Sequence, residues 1–206
     1  HTLLTREGRA ALKGYKRSGT VVFSVHRASD ILQVLAFAER HGFRAVIEGG
    51  AEAWMVAAQL ADAEVPVLLD PLQNLPDSFD MLGARLDNAA LLHAAGVRIS
   101  FSGAGTHHAR KQRQLAGVAA ANGLARDAAL AALTRNPAEI FGLPGGRLER
   151  GAPADLVIWS GDPLELVESA DHVILGGRLQ PMRSRQTELR DRYLPVDATL
   201  PRAYIH

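Results

Sequence analysis

The side chains best suited to move protons or hold a metal stand just after runs that read as strands. His26 and Arg27 follow TVVFSV, Glu48 closes FRAVIE, Asp70 closes VLLD, and His107, His108 and Arg110 follow VRISFSGAGT. In α/β barrels the catalytic groups project from the C-terminal ends of the strands and the loops after them, which is where these residues fall. Glu48, Asp70 and His107 are therefore candidate acid and base catalysts. His26 is a candidate metal ligand. Arg27, Arg110 and His108 are candidate substrate contacts, since arginine's planar fork meets an anionic group bidentately.

Each of these has a plainer reading. Strand-end carboxylates also accept loop N–H groups, and Arg27 and Arg110 are equally suited to pair with Glu48 or Asp70. His107 and His108 are adjacent and point in different directions, so at most one faces a pocket; both also fit a polar loop capping the next helix. No carboxylate stands between Ser102 and His108. Trp54 and Trp159 are read as packing residues.

The elements that must carry these residues follow from periodicity. Residues 2–17 read as a polar helix. Thr20–Val25 is a β-branched run of the kind buried on both faces of a parallel sheet. Asp30, with Gln33 three residues on, predicts a capped helix carrying Ile31, Leu35 and Ala38 until Gly42 ends it. A second strand is expected over 43–48, a helix with Trp54, Ala57, Ala58 and Ala61 on one face, and a third strand over 67–70. The connection over 71–82 is long enough to read as a functional lid. A helix over 86–95, a strand over 97–101 and helices over 109–121, 126–135 and from Asn136 to Phe141 complete a β/α alternation, which implies parallel strands with right-handed crossovers. After Gly142 glycines and prolines cluster, and ADLVIWSGDP and DHVILGGRLQ read as short strands of a separate β unit. A charged helix through Tyr193 and an irregular arm end the chain.

Composition bounds the partners. The 23 basic and 22 acidic side chains give a net charge of +1, too little to draw the chain to nucleic acid or an anionic membrane. The clusters Arg110, Lys111, Arg113 and Arg183, Arg185 read as solvated helix surface. The absence of cysteine excludes disulfides, thiolate catalysis and zinc fingers. No apolar run approaches the roughly 18 residues of a membrane span, so a soluble chain is expected, cytoplasmic or periplasmic. His1 in place of Met reads as the start of a processed or truncated piece.

Four stretches carry a family likeness: VHRASDILQVLAFAERHGFRAVIEGGAEAW, LDNAALLHAAGVRISFS, ANGLARDAALAALTRNPAEIFGL and GRLERGAPADLVIWSGDPLE. In this order they resemble the C-terminal half of the amidohydrolase superfamily over about residues 20 to 180, nearest to its imidazolonepropionase-related and prolidase-like branch. The resemblance implies an α/β fold: strands five to eight of a (β/α)₈ TIM-type barrel over 1–143, a small β-sandwich segment over 144–182, and a C-terminal helix and arm over 183–206. It also implies a hydrolase of C–N bonds, amide or cyclic amide, in a small substrate, whose divalent ion lowers the pKa of a bound water. The N-terminal half of the barrel is then an expected partner, and an uncovered half implies a homo- or hetero-oligomer.

Carried over residue by residue, the family's ligand positions fall on Ser24, Gly49 and Ala104, with His26 two residues beyond the first. Glycine and alanine offer a metal no lone pair. The resemblance therefore implies a degenerate centre, with no confident cofactor; zinc, manganese or iron enters only if an atypical site forms around His26, His107, His108, Glu48 or Asp70. Three functions compete: an amidohydrolase-type enzyme, an inactive pseudoenzyme or binding subunit beside an active paralogue, and a metal-independent enzyme using His26 or His107 with Glu48 or Asp70.

Overall fold

The computed structural model describes residues 5–8, 10, 13, 19–73, 75–103 and 111–193. Four strands, β1 (Thr20–Val25), β2 (Arg44–Gly49), β3 (Val67–Leu69) and β4 (Ile99–Phe101), form one parallel sheet in sequence order. This is an α/β architecture, each strand returning through a helical crossover to pair beside its predecessor. The crossovers are α1 (Ala28–His41), a 3₁₀ turn Ala53–Val56 running into α2 (Ala57–Asp62), and α3 (Asn88–Ala94). Beyond β4 lie α4 (Gln112–Ala121), α5 (Arg126–Leu133) and α6 (Arg135–Phe141).

Alternation along the strands sorts the sheet's two faces. Ala45, Ile47, Val67, Leu69, Ile99 and Phe101 join the main core, together with Ile31 and Val34 of α1, Leu60 of α2, Leu92 of α3 and Leu115 of α4. On the opposite face Val46 and Leu68 pack with Ile140 of α6. Farther along that face, on edge strand β1, Val22 and Ser24 are exposed.

The start of α1 departs from the capping-box expectation. The helix begins at Ala28, Asp30 sits within its first turn, and no side chain of the N-cap residue Arg27 caps it. The missing acceptor comes from far along the chain: Glu52 Oε2 accepts the Ala28 N–H at 3.0 Å. Tertiary contact thus does the work that a local capping motif would do. The C-terminus is as read, with Gly42 in the left-handed region and Phe43 N–H donating back to Ala38 O at 2.9 Å. In the second crossover the buried face is Ala53, Val56, Ala57 and Leu60, while Ala58 is exposed. The initial 3₁₀ turn shifts the phase away from the continuous α-helix expected there.

The β unit is a three-stranded antiparallel sheet of β5 (Leu156–Trp159), β6 (Ala170–Leu175) and β7 (Arg178–Leu179), followed by α7 (Arg185–Tyr193). One sheet is described here, and a second layer is not among the described residues. No helix of the described residues is long and apolar enough to cross a membrane. The expected helix over 2–17 falls mostly, and the arm after Tyr193 entirely, outside the described residues; residues 6–8, 10 and 13 are helical.

Candidate functional site

Parallel pairing brings the strand ends into one line. In register, Ser24 lies beside Glu48, Val25 beside Gly49, and Leu69 beside Phe101. The residues that follow open a cleft of about 230 Å³ lined by Ser24, His26, Glu48, Gly49, Asp70, Gln73, Ser102 and Gly103. Three sequence candidates, His26, Glu48 and Asp70, are therefore brought together. His107, His108, Arg110 and the position Ala104 lie outside the described residues.

His26 is seated by a glycine. A Cβ on Gly49 would stand 2.6 Å from His26 Cε1 and 2.9 Å from Nδ1, so the imidazole occupies the space a side chain at position 49 would need. The backbone also asks for glycine, since Gly49 has φ +92°. Positions 26 and 49 thus form one packing arrangement: the ring from the end of β1 fills the space that a side chain at the end of β2 would need. Sequence reading placed both residues but could not see that one fits over the other.

Asp70 is partly committed to its own loop, with Oδ1 accepting the Leu72 N–H at 3.0 Å. Among the described residues the Glu48 carboxylate makes no salt bridge. Arg27 pairs with neither of them. It turns to Asp80, its Nε donating to Oδ1 at 2.7 Å, and Asp80 holds the guanidinium pKa above its ordinary value. That contact takes Arg27 away from the cleft, so the ion pair expected with Glu48 or Asp70 is replaced by one to the long loop.

The loop itself is latched rather than loose. Glu52, which the sequence reading passed over, spends its second oxygen on Gly83 N–H at 3.2 Å. Trp54 Nε1 donates to Gly83 O at 2.9 Å, and Arg85 stacks over the Trp54 ring at 4.6 Å. Trp54 is thus a packing residue with a polar handle. Arg85 in turn binds Asp87, and this hydrogen bond keeps the Asp87 carboxyl below its usual pKa. The only signal of the Glu52 role was a carboxylate just past a glycine pair, which many loops share.

Arg113 is a second correction. Rather than solvated helix surface, it donates to Pro163 O at 3.1 Å and Glu168 O at 3.0 Å and stacks on Trp159 at 4.4 Å. It thereby ties α4 to the β unit.

No group of three or more His, Cys, Asp or Glu among the described residues is arranged to hold an ion, and a tetrahedral site needs three or four such ligands. Gly49 presents only backbone where His26 packs. The described residues by themselves do not fit a metal.

Residues 93–180 match the model of the amidohydrolase family. The amidohydrolase tasK of Hapsidospora irregularis is 37% identical over 112 residues, which is 50% of this chain and 11% of that protein. An amidohydrolase structure from Thermotoga maritima superimposes with a TM-score of 0.78 at 29% identity, over 89% of this chain and 49% of its own. A second solved amidohydrolase gives 0.64 at 25% identity, over 83% and 46%. The chain thus spans about half the length of these solved relatives and a small part of the curated one. Family match and fold likeness agree in supporting the amidohydrolase superfamily.

Proposed function

We propose that the chain is the C-terminal half of a (β/α)₈ barrel with part of a small β-sandwich, belonging to a hydrolase of C–N bonds in a small amide or cyclic amide, with altered metal-ligand positions. The observation that carries this is the cleft at the strand ends, where His26, Glu48 and Asp70 converge within a sheet that superimposes on the Thermotoga maritima amidohydrolase. Within the superfamily, the sequence resemblance to the imidazolonepropionase-related and prolidase-like branch supports placing the chain there. Val22 and Ser24, exposed on the face away from the main core, are surfaces that the N-terminal half of the barrel, or a second chain, would cover.

In this reading Glu48 takes the proton of the attacking water. Its carboxylate lies beside the cleft and is not spent on a salt bridge among the described residues. His26 donates a hydrogen bond to the substrate, and Asp70, anchored through Leu72, orders the loop that closes the cleft edge. His107 and Arg110, with His108, are placed by sequence on the turn after β4, where they would meet the substrate's polar groups. Removing a positioned acid or base typically costs 10²–10⁴-fold in rate.

A second reading is favoured by one observation. Filling the space at position 49 with an imidazole removes room that a ligand side chain would need, as in a barrel that keeps its cleft but has lost its centre. This is the pseudoenzyme or binding-subunit alternative. The decisive experiment measures turnover of a panel of N-acyl amino acids and cyclic imides by the full-length protein and its Glu48→Gln variant, with metal content determined on the same samples. A turnover that falls at least about 100-fold in Glu48→Gln at unchanged fold supports the enzyme. No turnover on any member, with no metal bound, supports the binding subunit. Stoichiometric metal lost on His26→Ala would restore a metal-dependent hydrolase.

A further inference from the structure

Two buried polar atoms beside the cleft have no hydrogen-bond partner among the described residues: Nδ1 of His26 and Oδ1 of Asn88. Both residues line an adjoining cavity of about 20 Å³ that shares His26, Gly49, Asp70 and Gln73 with the cleft and has Leu69 and Met81 among its other walls. Asn88 is 8% exposed. Its amide is oriented from the other end, because Nδ2 donates to the Gly50 carbonyl at 2.9 Å and that acceptor requires a donor. Oδ1 is then the end left to the cavity. The His26 ring is fixed against Gly49, as described above. Buried polar atoms without partners are rare in folded proteins because each forfeits its hydration. A cavity needs roughly 10–15 Å³ to take a water molecule, so this one has room for a single water and nothing larger.

We propose that this cavity is a binding site for one water molecule, which donates one hydrogen to His26 Nδ1 and the other to Asn88 Oδ1. The hydrogen-bond count then closes, since both hydrogens of the water are used; with a proton on Nδ1 the water would accept there and leave one of its own hydrogens without a partner in this pair. The bond accepted at Nδ1 decides where the proton of the neutral ring sits. It sits on Nε2. His26 borders both spaces, and Nδ1 is sealed from solvent, so Nε2–H is the polar group the ring offers to the cleft. Asn88 is a positioning residue acting through the water. The cleft therefore holds a fixed hydrogen-bond donor, suited to a carbonyl or carboxylate oxygen of its ligand. A nitrogen carrying that proton is not a metal ligand, so this arrangement replaces the ligand role that the sequence suggested for His26. It holds whether or not the chain turns over a substrate.

The test uses full-length protein labelled with ¹⁵N-histidine, held at about pH 8, where an ordinary imidazole is neutral. Long-range ¹H–¹⁵N correlations of His26 are expected to show one tautomer, protonated at Nε2, and a mixture of tautomers in Asn88→Ala. A crystal structure is expected to show a water about 2.7–3.2 Å from both Nδ1 and Oδ1. An Nδ1–H signal in the wild-type protein overturns the donor assignment. A well-resolved cavity with no water peak overturns the site. Both readings come from the wild-type protein, so a variant that fails to fold leaves them decisive.

Discussion

The two sheets are held in place by opposite means. In the parallel sheet the strands themselves are the core: Val46, Ile47, Val67 and Ile99 are at most 1% exposed. In the antiparallel sheet no strand residue is buried. Its anchorage lies in the connection between β5 and β6, where Leu164, 5% exposed, enters the main core of the other region. Arg113 and Arg126 grip the same connection, Arg126 through Asp162 and Glu165. One region supplies its own hydrophobic stabilisation, and the other borrows it through one side chain and a set of polar clamps.

The same substitution in each region breaks the comparison most strongly. Leu60→Ala removes a fully buried side chain of the parallel-sheet core and is expected to cost about 2–5 kcal/mol, lowering the whole unfolding transition. Leu164→Ala is expected to cost about 2–3 kcal/mol but to act locally, releasing the 160–169 connection to proteolysis before the rest unfolds. The chain's two tryptophans separate these outcomes, since Trp54 lies beside the long loop and Trp159 on β5. Fluorescence of Trp159 alone should move early in Leu164→Ala, while both move together in Leu60→Ala. If both tryptophans move together in Leu164→Ala, the two regions are one cooperative unit.

A smaller effect sharpens the same boundary by reversing a rule. Replacing a glycine inside a helix with alanine ordinarily stabilises by about 0.5–1 kcal/mol. Gly117, within α4, has the Leu164 carbonyl 2.7 Å from where its Cβ would be. That neighbour is backbone and cannot rotate aside. Gly117→Ala is therefore expected to destabilise by about 1–2 kcal/mol, as overpacking does, and in the Leu164→Ala background, where the connection is already loosened, the penalty should shrink. A chemical-denaturation series on the four proteins measures it; a stabilised Gly117→Ala would show that α4 does not carry the β unit closely.

How much of this could be read in the sequence differs between the same two regions. The parallel strands were legible to within about two residues, because they are continuous β-branched or apolar runs such as VVFSV and AVI; the expected burial on both faces holds for β2 and β3 but not for edge strand β1, where Val22 and Ser24 are exposed. Gly42 was legible as a helix stop because a left-handed cap leaves one cheap residue type. The site was legible as a set of strand-end positions, and His26, Glu48 and Asp70 do share the cleft. What was not legible is every contact made across the chain. Glu52 caps a helix 24 residues upstream, Arg113 leaves the surface for carbonyls about 50 residues on, and His26 packs where position 49 has no side chain. None of these leaves a periodic trace, since each depends on two distant segments meeting in one orientation. The β unit suffers most, because its anchoring consists entirely of such contacts.

The weakest expected effect is a difference in acid sensitivity between the regions. Asp162 accepts the Leu164 N–H at 2.9 Å, and this bond first, with the Arg126 contact after it, holds its carboxyl below the usual value. Asp87 is held down in the same direction by Arg85 in the long loop. A carboxyl whose folded pKa lies below its unfolded one stabilises fully above the unfolded value, near 3.9, and loses that contribution as pH falls through the folded value. Both regions should therefore weaken below about pH 4, each through its own aspartate. Asp162→Asn should flatten the acid dependence seen at Trp159 and leave that at Trp54 unchanged; Asp87→Asn should do the reverse. Both carboxylates are about two-fifths exposed, so the slopes should also shrink in high salt. Denaturation midpoints between pH 3 and 6, read at each tryptophan, test this; an equal change at both reporters from either variant would mean that the borrowed region and the self-supporting one titrate as a single body.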